Sequence, residues 1–207
     1  MIQKNLQDSF TEFCKENNFE VNTQQKKIVN QIDQFFKSKK TIFNYLIKPK
    51  QKLCFYLSGN IGVGKTMLLN FFYDRVETKK KIRLHFNEFM ISFHNFNHKK
   101  KNINSIKSFV KNLKDKYNLI YLDEFQVTNI VDAMILGKLF EIIFSKNIKI
   151  IITTNIKLDD LYKDGLQREK FLPFISIIRE NSIQEELILG ADYRLLSKDK
   201  FKRIFYP

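Results

Sequence analysis

Three glycines, a lysine and a threonine fall within the eight residues GNIGVGKT, which run from Gly59 to Thr66. This segment matches the phosphate-binding pattern G-x-x-x-x-G-K-[ST] at every position. Glycines let a backbone wrap closely around an oxyanion, and the N–H groups of the loop and of the helix that follows direct positive charge at phosphates. The segment therefore predicts a loop that binds the phosphates of a nucleotide.

Each residue type in this loop has a predicted role in holding ATP. The Lys65 ammonium is expected to reach the β- and γ-phosphates and to act in catalysis, and the Thr66 hydroxyl is a candidate ligand of Mg²⁺. The predicted nucleotide-binding residues are Gly59, Asn60, Ile61, Gly62, Val63, Gly64, Lys65, Thr66 and Met67.

Two acidic residues follow the apolar run LIYL at residues 119–122. The Asp123 carboxylate is a candidate ligand of Mg²⁺, and the adjacent Glu124 can polarise a water molecule for in-line attack on the γ-phosphate. The interval between Lys65 and Asp123 leaves room for one further strand, an arrangement typical of ATPases that carry this pair of acids. The acids predict hydrolysis rather than nucleotide binding alone.

Asn155 follows another apolar run, at residues 148–152. If this strand lies between the strand before the phosphate loop and the strand before the acids, the Asn155 amide can hydrogen-bond the γ-phosphate or the attacking water. The alternative interpretation is a turn-forming asparagine at the end of a strand, which is a common arrangement.

Apolar patterning predicts strands that alternate with helices. Short, mostly apolar runs, typical of buried strands, lie at 53–57, 119–122 and 148–152, and two further strand candidates lie at 82–86 and 187–189. Helical spacing lies at 24–37, 67–76, 87–96, 103–113 and 130–144. Asn22 or Thr23 can cap the first of these helices, and Thr128 or Asn129 can cap the last. The alternation predicts an α/β fold with a parallel sheet and helices on both faces.

The net charge of +14 would attract nucleic acid or an anionic membrane surface. The alternative is codon bias, because the chain is rich in Lys, Asn, Ile and Phe, whose codons are rich in A and T. No run of about 18 apolar residues is present, and the first residues lack the apolar centre of a secretion signal. With Cys14 and Cys54 interpreted as reduced thiols, these features predict a cytoplasmic protein.

Four further segments resemble the AFG-like (ZapE-type) family of AAA+ ATPases over residues 22–207. These segments are LDEFQVTNIVDAMIL at 122–136, LHFNEFM at 84–90, LYKDGLQREKFLPFI at 161–175 and ADYRL at 191–195. The resemblance implies an AAA+ fold with the strand order 5-1-4-3-2, and ATP hydrolysis coupled to the formation of a homo-oligomer. It also implies a protein partner, which for bacterial relatives is the division protein FtsZ, whereas mitochondrial relatives act in protein quality control.

The resemblance further implies that an arginine of one subunit completes the site of its neighbour. Arg168 is the first candidate and Arg194 is the second. The implied division of the chain is an N-terminal helical segment at 1–40, an AAA+ core at 41–190, and the remnant or start of a lid at 191–207. The lid is expected to be absent or truncated unless the sequence is a fragment.

Two other functions remain open at this point. One is a helicase-loader-like ATPase that handles DNA, which the basic charge would suit. The other is an interaction module that binds nucleotide without hydrolysing it, which an absent lid would favour and an intact Glu124 argues against.

Overall fold

A five-stranded parallel sheet forms the centre of the computed structural model, which describes residues 6–37, 51–100 and 104–188. The strands are β1 (Cys54–Gly59), β2 (Lys81–His85), β3 (Leu119–Asp123), β4 (Lys149–Thr154) and β5 (Ser182–Leu187). They lie in the order β2-β3-β4-β1-β5, and every pairing is parallel. The predicted order 5-1-4-3-2 is the same order read from the other edge, so the predicted fold class is confirmed.

Seven α-helices and two short 3₁₀ helices accompany the strands in the described chain. The α-helices are α1 (Leu6–Glu16), α2 (Thr23–Lys37), α3 (Lys65–Arg75), α4 (Phe86–Lys100), α5 (Ser105–Lys116), α6 (Ile130–Ser145) and α7 (Leu172–Asn181). The 3₁₀ helices span Leu158–Asp160 and Arg168–Lys170. Among the residues that the structure describes, no helix is both long and apolar enough to cross a lipid bilayer.

The three central strands are apolar because both faces of the sheet are covered. Every residue of β1 and β3 is buried. Successive side chains of a strand point to opposite faces, so Phe55 packs with α1, α2 and α3 on one face and Tyr56 packs with α4 to α7 on the other. The N-terminal helices therefore share a core with the sheet, through buried residues such as Phe10 and Ile28.

Side-chain caps fix the starts of three helices. Asn22 Oδ1 accepts a hydrogen bond from the Gln24 N–H at 2.8 Å, and Asn129 Oδ1 accepts one from the Val131 N–H at 2.8 Å. Each asparagine is thus the cap among the two candidates predicted for its helix. At the start of α4, Glu88 accepts a hydrogen bond from the His85 N–H at 3.0 Å, as the glutamate of a capping box does.

The end of the described chain differs from the sequence-based prediction. The fifth strand spans Ser182–Leu187 rather than 187–189, and α7 precedes it where no helix was predicted. The strand SIQEEL was missed because β5 pairs on one side only, with β1, and keeps polar residues at its centre. The predicted boundary near residue 40 and the predicted lid at 191–207 lie outside the described residues and stay predictions.

Candidate functional site

The loop between β1 and α3 has the backbone that the glycine pattern predicts. Gly62 and Gly64 adopt left-handed conformations, with φ of 85° and 91°. The helix α3 starts at Lys65, and no side chain caps its N-terminus. The first N–H groups of a helix have no partner within the helix, so this turn presents donors and the positive end of the helix dipole toward the loop.

Lys65 and Asn155 are brought together at the mouth of this loop. The Lys65 Nζ atom donates to the carbonyl oxygens of Gly59 and Asn60, each at 2.7 Å, and to Asn155 Oδ1 at 2.7 Å. The contact arises because β4 pairs with β1 in parallel, so their carboxyl ends meet at one edge of the sheet. An amide that touches this lysine lies where it can also contact an anion bound by the loop.

Asp123 ends β3 at the same edge and is almost fully buried. Its Oδ1 atom accepts hydrogen bonds from the Thr153 hydroxyl and, at 3.1 Å, from the Glu124 N–H, and its Oδ2 atom accepts one from Arg83 Nη2 at 2.6 Å. Burial alone would raise the pKa of Asp123, but the hydrogen bonds from Thr153 and Arg83 and the charge of Arg83 outweigh it, so the pKa is lowered. The carboxylate is therefore ionised near neutral pH, as an oxygen ligand of a metal ion needs to be.

Glu124 lies in an uncommon backbone conformation beside this carboxylate. Its φ is 54°, in the left-handed region that residues with a side chain seldom adopt, and 77% of its side chain is exposed. The turn is fixed by its neighbours, because the Phe125 N–H donates to the Thr153 carbonyl at 2.8 Å and the Thr154 hydroxyl donates to the Phe125 carbonyl at 2.6 Å. The held turn directs the Glu124 side chain away from the core.

Four residues of the site were not among the predicted site residues. The Thr153 hydroxyl and the Arg83 guanidinium contact Asp123, His85 Nδ1 lies 3.7 Å from Glu124 Oε2, and the buried Gln25 donates from Nε2 to the Val63 carbonyl at 3.2 Å. A sequence signal existed for Thr153 and His85, because Thr153 is the penultimate residue of β4, His85 is the last residue of β2, and the carboxyl ends of both strands face the loop. For Arg83 and Gln25 the contacts depend on the sheet register and on helix packing.

The proposed trans arginine lies apart from these contacts. Arg168 begins a 3₁₀ helix and donates from Nη2 to the Asp159 carbonyl at 2.6 Å, while Arg179 pairs with the Asp159 carboxylate. Arg194 lies outside the described residues. The choice between Arg168 and Arg194 stays a prediction.

The oxygen atoms and backbone N–H groups at this edge of the sheet are of the kinds that bind a magnesium-bound nucleotide. Mg²⁺ prefers hard oxygen ligands and one or two carboxylates together with substrate phosphates. The Thr66 hydroxyl at the start of α3 and the ionised Asp123 supply oxygens of that kind. The loop supplies backbone donors for phosphates.

Comparison with known proteins places this site in a family. The sequence model of the AFG1-like ATPases matches residues 4–207. The chain belongs to the AFG1-like ATPase family. The resemblance noted from its motifs is thereby confirmed.

Two curated relatives of this AFG1-like chain cover most of its length. It is 37% identical over 171 residues to Lactation elevated protein 1 homolog B of Danio rerio, which covers 77% of this chain and 34% of the relative. It is 36% identical over 141 residues to Cell division protein ZapE of Escherichia coli K12, which covers 68% of this chain and 38% of the relative. The chain thus spans about a third of the length of these relatives.

Solved structures share the fold at low sequence identity. DnaA from Aquifex aeolicus, bound to AMPPCP, aligns with a TM-score of 0.57 and 20% identity, over 89% of this chain and 53% of its own. The DnaC helicase loader aligns with a TM-score of 0.52 and 17% identity, over 82% of this chain and 92% of its own. These likenesses support the AAA+ fold of the AFG1-like chain.

Proposed function

We propose that this AFG1-like chain hydrolyses ATP with Mg²⁺ and that the nucleotide cycle changes its hold on a protein partner. The observation that carries the proposal is the meeting of Lys65, Asn155 and the Asp123–Glu124 pair at one edge of a parallel sheet. Ligands of open parallel sheets bind at the carboxyl ends of the strands, where these residues lie.

Each side chain has a distinct task in this proposal. Lys65 exchanges its loop carbonyls for phosphate oxygens, Thr66 and Asp123 hold the metal, and Glu124 orients the attacking water. A magnesium ion neutralises charge on the phosphates when it is bound. The exposure of Glu124 lets it meet water, whereas Asp123 is buried and held in place by three donors.

The partner proposed is a protein of the cell-division machinery, of the FtsZ type. The support is the relative named Cell division protein ZapE, at 36% identity. We further propose that nucleotide binding drives assembly of a homo-oligomer, in which Arg168 or Arg194 reaches the site of the neighbouring subunit. An arginine placed in this way stabilises negative charge that develops on the transferred phosphoryl group.

A DNA-handling function is the second candidate, and the net charge of +14 favours it. Binding of a labelled single-stranded oligonucleotide, measured over a range of salt concentrations, decides between the two. A DNA-handling protein would bind tightly, with an affinity that falls steeply as salt rises. Codon bias as the source of the charge predicts weak binding without a preferred length of DNA.

The experiment that tests hydrolysis compares Glu124→Gln with the parent chain. We expect the variant to keep its affinity for MgATP and to lose turnover, because the amide cannot accept a proton from water. The matched control is Glu141→Gln, which changes an exposed glutamate of α6 that pairs with Lys138. Equal turnover in the parent and in Glu124→Gln would remove the claim of hydrolysis and leave the non-hydrolysing module.

A further inference from the structure

Arg83, on the edge strand β2, contacts one candidate magnesium ligand, Asp123, and the helix α3 that carries the other, Thr66. Its guanidinium donates to Asp123 Oδ2 at 2.6 Å, with 26% of the arginine side chain and 6% of the aspartate side chain exposed. A second hydrogen bond goes to Asn70 on α3. Asn70 lies four residues after Thr66, so the two share one face of that helix.

The register of the sheet places the arginine in this position. Arg83 pairs with Tyr121 of β3, and side chains two residues apart on a strand point to the same face. Arg83, Tyr121 and Asp123 therefore lie on the face that α3 covers. The contact is a consequence of the fold and involves residues 40 positions apart in the chain.

Two donors other than Arg83 also hold the Asp123 carboxylate. Its Oδ1 atom is already held by the Thr153 hydroxyl and the Glu124 N–H. What Arg83 adds is a positive charge next to a buried carboxylate, which is costly to bury without one. Arg83 thus differs from the other two donors, because it also supplies the counter-charge of the buried carboxylate.

We propose that Arg83 competes with divalent metal for the Asp123 carboxylate, an inference that rests on the proposed role of Asp123 as a magnesium ligand. The guanidinium neutralises the carboxylate in the metal-free chain and opposes the charge of a divalent ion at the same oxygen. The affinity for metal alone is thereby kept low, and the phosphates of a nucleotide supply the negative charge that offsets the repulsion. The site then takes up metal together with nucleotide.

A second carboxylate lies in the groove beside the guanidinium. A groove of about 710 Å³ lies beside it, and its lining includes Asn70, Asp74 and Arg83. Asp74 is four residues after Asn70 on α3, so it lies on the same side of the helix. In the proposed competition, Asp74 is the carboxylate that the guanidinium would meet in this groove once metal replaces it at Asp123.

The test measures binding of Mn²⁺, as a spectroscopic substitute for Mg²⁺, to the full chain by electron paramagnetic resonance, with and without ADP. We expect Arg83→Gln to raise the affinity for Mn²⁺ alone about tenfold, because a neighbouring unit charge is removed. The factor by which ADP raises the affinity for Mn²⁺ should become smaller than in the parent. Arg75→Gln is the matched control. It removes the same charge from α3, but Arg75 lies over the Phe71 ring and is exposed.

Arg83→Lys distinguishes the effect of the positive charge from that of the hydrogen-bond geometry, and it is the variant to measure if Arg83→Gln does not fold. The ammonium keeps the charge but cannot bridge Asn70 and Asp123 as a guanidinium does. Competition predicts an Mn²⁺ affinity close to that of the parent. Weaker binding in either variant would show that the arginine orients the ligand, and unchanged binding in Arg83→Gln would exclude competition.

Asp123→Asn shows whether a negative result contradicts only the competition between Arg83 and metal or also the proposed role of Asp123 as a metal ligand. It should weaken Mn²⁺ binding in the parent and in the Arg83→Gln background alike. Unchanged affinity in Asp123→Asn would overturn the metal role of Asp123 and the competition with it. If Asp123→Asn weakens binding but Arg83→Gln has no effect, only the competition is overturned.

Discussion

Thr153→Val is expected to destabilise the chain, because it removes a hydrogen bond to the ionised carboxylate of Asp123. Thr153 is 1% exposed, and its hydroxyl donates to Asp123 Oδ1. Valine keeps the shape and removes the donor, and a hydrogen bond to a charged group contributes about 1.5–3 kcal/mol to the free energy of unfolding. For a chain of this size the loss corresponds to a fall of about 3–12 °C in Tm.

The pH dependence of this loss identifies its cause. The pKa of Asp123 lies below its ordinary value of 3.8 in the folded chain, so the stabilisation is present above that value and is lost as pH falls through the folded pKa. The unfolded chains titrate alike in both proteins, so the difference in unfolding free energy between Thr153→Val and the parent should be constant near neutral pH. It should narrow as pH falls through the folded pKa of Asp123, which lies below 3.8 in the parent.

The assay is urea denaturation followed by far-ultraviolet circular dichroism, since the chain has no tryptophan. Thr154→Val is the matched control, because Thr154 is 2% exposed and its hydroxyl donates to the uncharged Phe125 carbonyl. The loss of unfolding free energy in Thr154→Val should not change with pH. The reasoning is refuted if the two variants show the same dependence on pH, or if Thr153→Val costs less than about 0.5 kcal/mol, the ordinary range of a surface substitution.

Three further predictions follow from other contacts. Gly59→Ala should lower the free energy of unfolding by about 1–3 kcal/mol or more, since a Cβ there would lie 2.4 Å from the Leu187 carbonyl oxygen. Its control in the same denaturation assay is Gly137→Ala, whose Cβ would meet nothing closer than 3.6 Å and which should be neutral or stabilising. Asn155→Ala should leave MgATP affinity within a few-fold and lower turnover about a hundredfold, as loss of a transition-state donor does, and unchanged turnover would support the turn-forming interpretation. Arg168→Ala should keep nucleotide binding and lower turnover about a thousandfold, with partial recovery on mixing with Lys65→Ala; turnover equal to that of the parent would direct the assignment to Arg194.

The central strands could be predicted because burial on both faces leaves a direct record in the sequence. The run before Asp123 is apolar throughout, the run at 148–152 is apolar except for Lys149, and the alternation of strands and helices favours a parallel sheet. The edge strand β5 carries no such record, since Gln184, Glu185 and Glu186 occupy its centre. A strand paired on one side can hold polar residues, so its pattern resembles that of a loop.

The candidate site divides in the same way. The phosphate loop is one contiguous segment of the sequence and the acid pair is another, so the residue types and spacing within each segment were sufficient to predict them. Arg83 and Gln25 reach the site from segments distant in the chain, through the sheet register and the packing of α2. The left-handed turn at Glu124 depends on hydrogen bonds from Phe125 and Thr154, which only the folded strands bring together.

The most direct test of the account is the affinity for MgATP of Lys65→Ala, measured by calorimetry against the parent and against Lys52→Ala. Lys52 precedes β1, and its Nζ atom donates to the Glu180 carbonyl at 2.7 Å at the opposite end of the strand. The account predicts that Lys65→Ala weakens binding about a hundredfold or more, through loss of a charge contact with phosphate, and that Lys52→Ala binds as the parent does. Equal affinity in the parent and in Lys65→Ala would contradict it.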